Sequence, residues 1–314
     1  MDDIIEFKHY PVMKEEAINY LNIVPGGIYV DCTLGGGSHS LEIVKKLDNG
    51  KLIAIDRDID AIKFSEAKLK DYKDKIYFVK DNFANIKYIV ENTGIKNING
   101  ALMDLGISSY QIEADRGFSY MKDSPLRMTM DKDQEFTAAF LVNTFDKNKI
   151  KEILYTYGEE RFSGLIAGEI IKRRNIKPFE TTLELAGAIK YAVRNVRYDG
   201  GHPAKRSFQA IRCYVNREME NIEPAINAIV QMLAGGGRLI VISFQSGEDA
   251  IVKNIFRSFE KPCVCPKDFP VCVCGKKAVA KIIIKKPVYP CEREIKENPR
   301  SESAKLRALE KLYI

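Results

Sequence analysis

The chain has 314 residues, of which 45% are hydrophobic and 29% are charged, and its formal net charge is +6. That length accommodates two domains, or one domain with a large insertion, and the composition is that of a soluble protein with an ample core. The apolar runs fall short of the about 20 residues that a membrane helix needs, and the N-terminus, MDDIIEFKHY, lacks the regions of a secretory signal. We therefore expect a cytoplasmic protein with no membrane partner.

The first hundred residues alternate between strand-like and helix-like segments. Such alternation is typical of βαβ units and therefore predicts an α/β fold with a mostly parallel sheet. The expected strands are Gly27–Asp31, Lys51–Asp56, Ile76–Lys80 and Gly100–Leu105, and the helices between them include Ser38–Leu47 and Ile59–Leu69.

The alternation stops after the fourth strand. From about Glu113 to Cys213 the sequence shows no convincing strand, and its apolar residues follow helical periodicity. We expect an inserted helical domain of residues 113–213 that recognises the substrate, within a discontinuous α/β domain of residues 1–112 and 214–314. The helical segments are Thr137–Val142, Lys147–Tyr157, Arg161–Arg173 and Leu183–Val193.

Beyond the insertion the α/β pattern resumes. Near the C-terminus we expect a closing helix, Glu302–Leu312, because Ser301 can cap it and Pro299 stands just ahead. The preceding elements are a helix at Ile211–Leu233, a strand at Arg238–Phe244, a helix at Asp249–Phe259 and a last strand at Val279–Lys285.

Positive charge is concentrated in the predicted insertion. Between Arg161 and Arg212 there are eleven Lys and Arg residues against four acids. Localised basic charge is typical of proteins that bind a polyanion, although a solvated helical surface is the simpler alternative. If the polyanion is a nucleic acid, the candidates for contact with it are Arg116, Lys205 and Arg206.

A glycine-rich loop joins the first strand to the following helix. The segment IYVDCTLGGGSHS, Ile28–Ser40, carries three glycines that let a ligand approach the backbone, and Asp56 ends the next strand where carboxylates bind ribose hydroxyls. A dinucleotide site needs a third spaced glycine, but His39 and Ser40 stand there, which disfavours a dehydrogenase. S-adenosylmethionine has no phosphate and therefore needs no such glycine. It needs acceptors for its ammonium and ribose groups, and Asp31 and Asp56 can supply them. A methyl donor, a nucleotide and a plain tight turn all remain open on this pattern.

A second group of polar residues follows the fourth strand, in MDLGISSYQIEADRGFSY. Asp104 ends the strand, and Ser108, Ser109 and Gln111 follow the turn at Gly106. Methylation of an exocyclic amine needs acceptors that hold the amino group in line with the sulfonium. Asp104, Ser108 and Ser109 are therefore the catalytic candidates. The alternative for Asp104 is that it only caps its own turn.

Four of the seven cysteines form the pairs Cys263-Val-Cys265 and Cys272-Val-Cys274. An odd total argues against a disulfide framework. Structural zinc sites usually have C-x2-4-C spacing, and a buried strand would explain C-x-C pairs equally well, because alternate residues share a face. The sequence therefore assigns no metal site and leaves metal binding by this cluster open.

Several segments together resemble one known family. HYPVM, DCTLGGGSHS, IAIDRD, MDLGISSYQIEADRGFSY, YGEERF, HPAKRSFQAIRCYVNRE, GGGRLIVISF and ENPRS follow one another along nearly the whole chain. In this order they resemble the bacterial methyltransferases of the small subunit methyltransferase H type, which modify the N4 amino group of a cytidine in the decoding region of 16S ribosomal RNA. HPAKRSFQAIR and ADRGFSY are the most specific of these segments.

The resemblance implies a Rossmann-like class I methyltransferase with an inserted helical domain. It also implies S-adenosyl-L-methionine as cofactor and 16S ribosomal RNA or the small ribosomal subunit as partner, and it leaves a homodimer open. The donor contacts that it implies are Gly37, Ser38, His39, Asp56, Phe83, Asp104 and Gln111.

Some positions depart from the family pattern. A diverged paralogue that binds RNA and methyl donor with an altered target or little activity therefore remains the alternative. Ser38 replaces a usual glycine, Tyr110 a proline, Arg127 an acid, Thr129 an arginine, Gln245 a histidine, Gly247 a leucine and Ala250 an arginine.

Overall fold

A computed structural model of the chain describes residues 11–107, 111, 115–198, 201–266, 271 and 273–313. The chain divides into two units. The first unit comprises Met1–Gly106 and Glu220–Ile314, and the second comprises Ile107–Met219. Each junction lies a few residues from the position expected from the sequence.

The first unit is built on a seven-stranded sheet with the strand order β3-β2-β1-β4-β5-β7-β6. The first five strands pair in parallel, while β7 is antiparallel to both β5 and β6. This topology confirms the predicted Rossmann-like α/β class. The strands are β1 (Ile28–Asp31), β2 (Lys51–Asp56), β3 (Ile76–Lys80), β4 (Ile98–Asp104), β5 (Leu233–Ser243), β6 (Ala280–Ile282) and β7 (Lys305–Lys311).

Helices cover the sheet and form the second unit. No helix of the described ranges is long and apolar enough to cross a bilayer. The α-helices of these ranges are α1 (Lys14–Leu21), α2 (Ser38–Lys45), α3 (Ile59–Lys68), α4 (Ile86–Asn92), α5 (Ala138–Thr144), α6 (Lys147–Gly158), α7 (Ser163–Arg174), α8 (Thr182–Ala192), α9 (Ala204–Asn216), α10 (Ile222–Met232), α11 (Ser246–Glu260) and α12 (Glu292–Glu297).

The central strands are apolar because both faces of the sheet are covered. Along β2, Leu52 to Ile55 are all fully buried, as expected for a parallel strand between two helical layers. One apolar cluster on the sheet includes Val30, Ile53 and residues of α4, α10 and α11, and a second includes Leu52 and residues of α1 and α2. The strand ends are therefore held in fixed register.

The second unit is helical, and its core gathers residues from α5 to α9. Most of these helices have recognisable start residues. Asp146 caps α6 by accepting hydrogen bonds from the backbone of Asn148 and Lys149, and Thr181 forms a capping box with Glu184 at the start of α8. These hydrogen bonds fix the positions at which the two helices begin.

The predicted closing helix is wrong, because its residues form β7 at Lys305–Lys311. Leu306 and Ala308 are buried, and backbone pairing with β5 and β6 overrides the helical propensity of KLRALEK. Arg307 is accommodated in this buried strand by two hydrogen bonds to Asp249 of α11, at 2.6 and 3.0 Å. The residues expected to start a helix instead form a 3-10 turn at Pro299–Ser303.

The single helix predicted at Ile211–Leu233 is also wrong. It is two helices, because α9 ends at Asn216, Arg217 adopts a left-handed conformation (φ 53°) and α10 begins at Ile222. Glu218 folds back to bind Arg212 through both of its oxygens, at 2.9 and 3.0 Å. This contact fixes the chain reversal.

Candidate functional site

Three carboxylates end three adjacent strands of the sheet. Asp56, Asp31 and Asp104 are the last residues of β2, β1 and β4, which are neighbours in the strand order. Because the strands are parallel, these side chains gather at one edge of the sheet, where ligands bind in this fold class. Burial is the first cause of a raised pKa for each of them, and Asp31 also raises the pKa of the other two. The edge therefore favours a cationic ligand.

The glycine loop between β1 and α2 has a backbone that side chains would not tolerate. Gly35 and Gly37 have positive φ angles of 47° and 68°. A Cβ on Gly37 would lie 2.9 Å from Oγ of Ser65, and that hydroxyl donates to the carbonyl of Gly35 at 2.9 Å. Glycine is therefore required both by conformation and by the close approach of α3.

Asp56 connects this loop to the start of α3. Its Oδ2 accepts a hydrogen bond from the backbone of Gly35 at 2.8 Å, and its Oδ1 accepts one from the backbone of Asp58 at 2.9 Å. Burial outweighs these hydrogen bonds and raises the pKa of Asp56 to about 6. Because the carboxylate is only partly covered and each oxygen has a second lone pair, it can also accept hydrogen bonds from a ligand.

Lys68, on α3, holds the outer side of the loop. Its Nζ donates to the carbonyl of Gly36 and to Oγ of Ser38, both at 2.8 Å. Partial burial, followed by repulsion from Lys45, lowers the pKa of Lys68. Ser38, which replaces a usual glycine, therefore has a hydrogen-bonding role in the loop of this chain. Sequence reasoning missed both Lys68 and Ser65; their three-residue spacing on α3 is the only trace they leave in the sequence.

Asp104 faces His39, and both side chains are largely covered. Oδ2 of Asp104 lies 3.8 Å from Nδ1 of His39, while Nε2 of His39 lies 3.1 Å from the carbonyl of Val12. Burial, with a smaller contribution from Lys14, lowers the pKa of His39 to about 4. The ring is therefore neutral at neutral pH, with its proton on Nε2 and the Nδ1 lone pair turned towards Asp104.

The carboxylate of Asp104 also has an oxygen that finds no partner among the described residues. Its backbone N–H donates to Oγ1 of Thr33 at 2.8 Å, which fixes the end of β4. Its Oδ1 is buried and has no hydrogen-bond partner within the described part of the chain. Burial and the nearby charges of Asp31, Glu248 and Glu294 raise the pKa of Asp104 well above its ordinary value. A cation or hydrogen-bond donor would satisfy this oxygen.

Phe83 follows the neighbouring strand β3. It begins a 3-10 turn at Phe83–Asn85, is half-buried and packs against the core of the sheet. The backbone N–H of Asp81 donates to the carbonyl of Asp56 at 3.0 Å, so the ends of β2 and β3 are tied together. Phe83 therefore belongs to the same edge of the sheet as the three carboxylates.

The other predicted site residues are placed differently. Ser108 and Ser109 lie outside the described residues. Gln111 is buried in the second unit. The structure thus brings together the glycine loop, His39, Asp56 and Asp104 in the first unit, while the predicted RNA contacts belong to the second.

Those RNA candidates differ in exposure. Arg116 is buried, and its guanidinium donates to the carbonyl of Met130 at 3.1 Å. Lys205 is exposed and Arg206 half-exposed in the first turn of α9. Arg116 therefore supports a loop of the second unit, whereas Lys205 is available at its surface.

A mostly parallel sheet with a glycine loop after β1, an acid at the end of β2 and, at the end of β4, an acid with one oxygen unpartnered among the described residues is typical of a Rossmann-like methyltransferase. S-adenosylmethionine fits this edge chemically: its sulfonium and ammonium groups match the carboxylates, and Asp56 can accept from its ribose. The chain belongs to the MraW methylase family, whose model matches residues 6–312, and the enzymes of this family use S-adenosylmethionine.

Curated relatives are similar over their full length. The chain is 51% identical over 310 residues to the ribosomal RNA small subunit methyltransferase H of Clostridium botulinum (strain Loch Maree / Type A3), covering 98% of this chain and 100% of that protein. Proteins of the same name from Carboxydothermus hydrogenoformans and Clostridioides difficile (strain 630) are 49% and 48% identical, over 98% of this chain and 99% and 100% of theirs.

The departures from the family pattern in the second unit are accommodated locally. Arg127 donates through one guanidinium nitrogen to the carbonyls of Lys132 and Gln134, at 3.1 and 3.0 Å. Thr129 is buried. Both residues therefore contribute to the internal structure of the turn at 127–134.

The departures in the first unit lie at the start of α11. Gln245 and Glu248 form a capping box at the start of the helix. In it, the carboxylate of Glu248 accepts a hydrogen bond from the backbone N–H of Gln245 at 3.1 Å, and it accepts a second from that of Phe244 at 3.0 Å. Gly247 and Ala250 are half-buried in the first turns of the helix. The glutamine therefore has a structural use in starting α11.

Proposed function

We propose that the protein transfers the methyl group of S-adenosylmethionine to the N4 amino group of a cytidine in 16S ribosomal RNA, in the cytoplasm. The target that the family resemblance implies is cytidine 1402. One observation carries the proposal: beside a neutral histidine, Asp104 presents a buried oxygen that has no partner in the part of the chain that the structure describes. The names of the full-length relatives support the choice of RNA as substrate.

The first unit binds the donor. Asp31, Asp56 and Asp104 supply negative charge for its sulfonium and ammonium groups, and Asp56 accepts from the ribose hydroxyls. Gly37, Ser38 and His39 contact the donor from the glycine loop, and Phe83 packs against its adenine. Gln111 is proposed as a further donor contact, on the family resemblance.

In the transfer step, the N4 lone pair attacks the methyl carbon, the new N–C bond forms and the C–S bond breaks. The bound donor supplies an electrophilic methyl group on a positively charged sulfur. Asp104 accepts a hydrogen bond from the amino group, which holds its lone pair in line with the methyl carbon and stabilises the positive charge that develops on nitrogen. Ser108 and Ser109 are proposed as further acceptors, and water takes the proton that nitrogen loses.

The second unit binds the RNA. Its surface carries Lys205, Arg206 and other basic residues of the Arg161–Arg212 region, of which Lys172, Lys190 and Arg194 are exposed. Such groups neutralise phosphates and make binding depend on salt concentration. Arg116 contributes indirectly, by supporting the loop around Met130.

The test is methyl transfer from labelled S-adenosylmethionine to small ribosomal subunits, and to naked 16S RNA, from a strain that lacks the modification. We expect one labelled nucleotide, cytidine 1402, with the label on N4. Label at another nucleotide, or none alongside measurable donor binding, would overturn the proposal and favour the diverged paralogue. The specific observation behind that alternative is the loss of the usual charged residues at Arg127 and Thr129, which here serve the internal turn.

A further inference from the structure

A long connection between α11 and β6 carries the cysteine pairs. Its two ends are tied together, because the backbone N–H of Val279 donates to the carbonyl of Phe259 at 3.1 Å and that of Ile282 donates to Glu260 at 2.9 Å. Between these ties the described residues form no helix or strand. Connections longer than about 12–15 residues without secondary structure are uncommon in compact domains unless something else orders them.

The sulfur atoms of three cysteines converge in this loop. Sγ of Cys263, Cys265 and Cys274 all lie within 4.8 Å of one another, although the residues come from both ends of the segment. Thiolates that share one tetrahedral zinc, with Zn–S bonds of about 2.3 Å, lie about 3.8 Å apart. Small side-chain rotations would therefore bring all three sulfurs onto one ion.

Burial of apolar side chains does not explain this convergence. The valines between and beside the cysteines are turned to solvent: Val264, Val271 and Val273 are 66%, 70% and 73% exposed. The sequence allowed a buried strand here, and that interpretation is wrong for the described residues: those between α11 and β6 do not form a strand. Among the described residues of this loop, the three sulfurs converge while the valines are exposed, so apolar packing among these residues does not hold the cysteines together.

The surroundings suit negatively charged sulfur. The backbone N–H of Val273 points at Sγ of Cys265 at 3.3 Å, and backbone donors to sulfur help to hold metal-bound thiolates. Gly275 follows the last cysteine with a positive φ of 64°, and two exposed lysines, Lys276 and Lys277, come next. Two positive charges therefore follow the last cysteine in the sequence.

We propose that Cys263, Cys265 and Cys274 bind a structural zinc ion that holds this loop together. Thiolate ligands select zinc among the common divalent ions, and each thiol releases its proton to solvent on binding. A tetrahedral ion has a fourth coordination position, which these three cysteines leave open. The ion supplies the stability that the exposed valines do not, and it fixes the approach of the chain to the edge strand β6.

The first test is the metal content of the full-length protein, purified under reducing conditions without chelator. We expect one zinc per chain, and loss of most of it in Cys265→Ser and in Cys274→Ser. Cys291→Ser is the matched control, since Cys291 is exposed in the same unit but lies outside the cluster. Zinc that stays at the wild-type level in both cluster variants would overturn the proposal, as would wild-type protein without zinc.

A second measurement does not depend on variants that fold. Wild-type protein is stripped with a chelator and titrated with Co²⁺. We expect a thiolate-to-cobalt charge-transfer band and the strong visible bands of tetrahedral cobalt, saturating at one ion per chain and displaced by zinc. Their absence would overturn the site. Trypsin should cut at Lys276 or Lys277 faster in the stripped protein; equal rates would overturn the structural role of the ion.

Discussion

At the residue scale, Asp104 combines a position at the end of β4 with one oxygen that has no protein partner among the described residues. Its raised pKa means that the ionised form is costly in the protein alone. A cationic donor offsets that cost, so binding and ionisation of Asp104 are coupled.

Asp104→Asn should therefore weaken donor binding and also stabilise the donor-free protein. Charged hydrogen bonds contribute about 1.5–3 kcal/mol, which corresponds to about 10- to 100-fold in affinity. Calorimetric titration with S-adenosylmethionine measures the affinity, and thermal unfolding measures the stability. Asp81→Asn, at the end of β3, is the control. Unchanged donor affinity in Asp104→Asn would contradict the assigned role.

Asp56 should make donor binding depend on pH. Its pKa in the folded protein, about 6, is above its ordinary value of 3.8. The stability that this group contributes is therefore fully present below about pH 4 and is lost as the pH rises through about 6. Ribose hydroxyls bind the ionised form, so the ligand should raise the melting temperature more at pH 7 than at pH 5.

S-adenosylhomocysteine is the appropriate ligand for this measurement, because it has the same ribose but no sulfonium charge. In Asp56→Asn the difference between the two pH values should disappear. If the variant keeps the wild-type pH dependence, another group is responsible.

The residues on which the site depends were predictable where the pattern is local in sequence. Gly37, Asp56 and Asp104 stand next to strand ends, and the sheet brings such ends together. Lys68 could not be predicted, because it reaches Gly36 across 32 positions of the chain. Nothing in the sequence alone reveals the direction in which its side chain points.

At the element scale, α3 acts as a support for the glycine loop. Lys68→Met keeps the length of the side chain but removes both hydrogen bonds to the loop. We expect donor affinity to fall a few-fold with little change in stability, since a hydrogen bond contributes about 1 kcal/mol net. Lys63→Met, on an exposed position of the same helix, is the matched control. Equal affinities in the two variants would show that the loop does not need this support.

The strand β7 depends on a pair that is nearly enclosed. Arg307 and Asp249 have side chains only 9% and 13% exposed. Arg307→Met leaves the carboxylate without its partner and should destabilise the protein by about 3–5 kcal/mol in urea unfolding. Lys281, in β6, is a largely exposed partner of Glu310 in β7. Lys281→Met should therefore lower the free energy of unfolding by less than about 1 kcal/mol. If the two variants lose similar amounts of unfolding free energy, the difference in burial between the two ion pairs does not determine their contributions to stability.

This strand also shows where sequence patterns fail. KLRALEK has residues that favour helices, and Pro299 and Ser301 resemble a helix start. The pairing of β7 with β5 involves residues more than sixty positions away, such as Leu239 with Leu309, and local propensity contains no trace of it. By contrast, α6 and α8 were predictable because their apolar residues follow helical periodicity, which is a pattern local in sequence.

At the scale of the whole molecule, the donor carboxylates and the proposed RNA contacts belong to different units. Lys205→Ala should weaken RNA binding and leave donor affinity unchanged. The logarithm of RNA affinity should also fall less steeply with the logarithm of salt concentration, by about the contribution of one phosphate contact. Filter binding of 16S RNA at several salt concentrations measures this. Lys45→Ala, in the first unit, is the control. If the salt dependence of RNA binding is the same in Lys205→Ala as in wild type, Lys205 does not contact the RNA.

The division into an α/β unit and a helical insertion was predictable because strand periodicity stops after β4 and resumes at β5. The ends of the insertion were less predictable. The second junction depends on the reversal at Arg217 and on the contact between Glu218 and Arg212, and a continuous helical pattern concealed both.

The parallel pairing of β4 with β5 has a consequence for how the protein folds. Asp104 lies opposite Ile242, with the whole of residues 107–219 between the two strands in sequence. Closing so large a loop is entropically costly, and pairings of this kind form slowly. The strands that carry the donor carboxylates are synthesised first, yet the seven-stranded sheet is completed only after the residues of β7 have been synthesised. If the residues of the insertion fold early, they shorten the effective loop between β4 and β5 and so lower the entropic cost of this pairing.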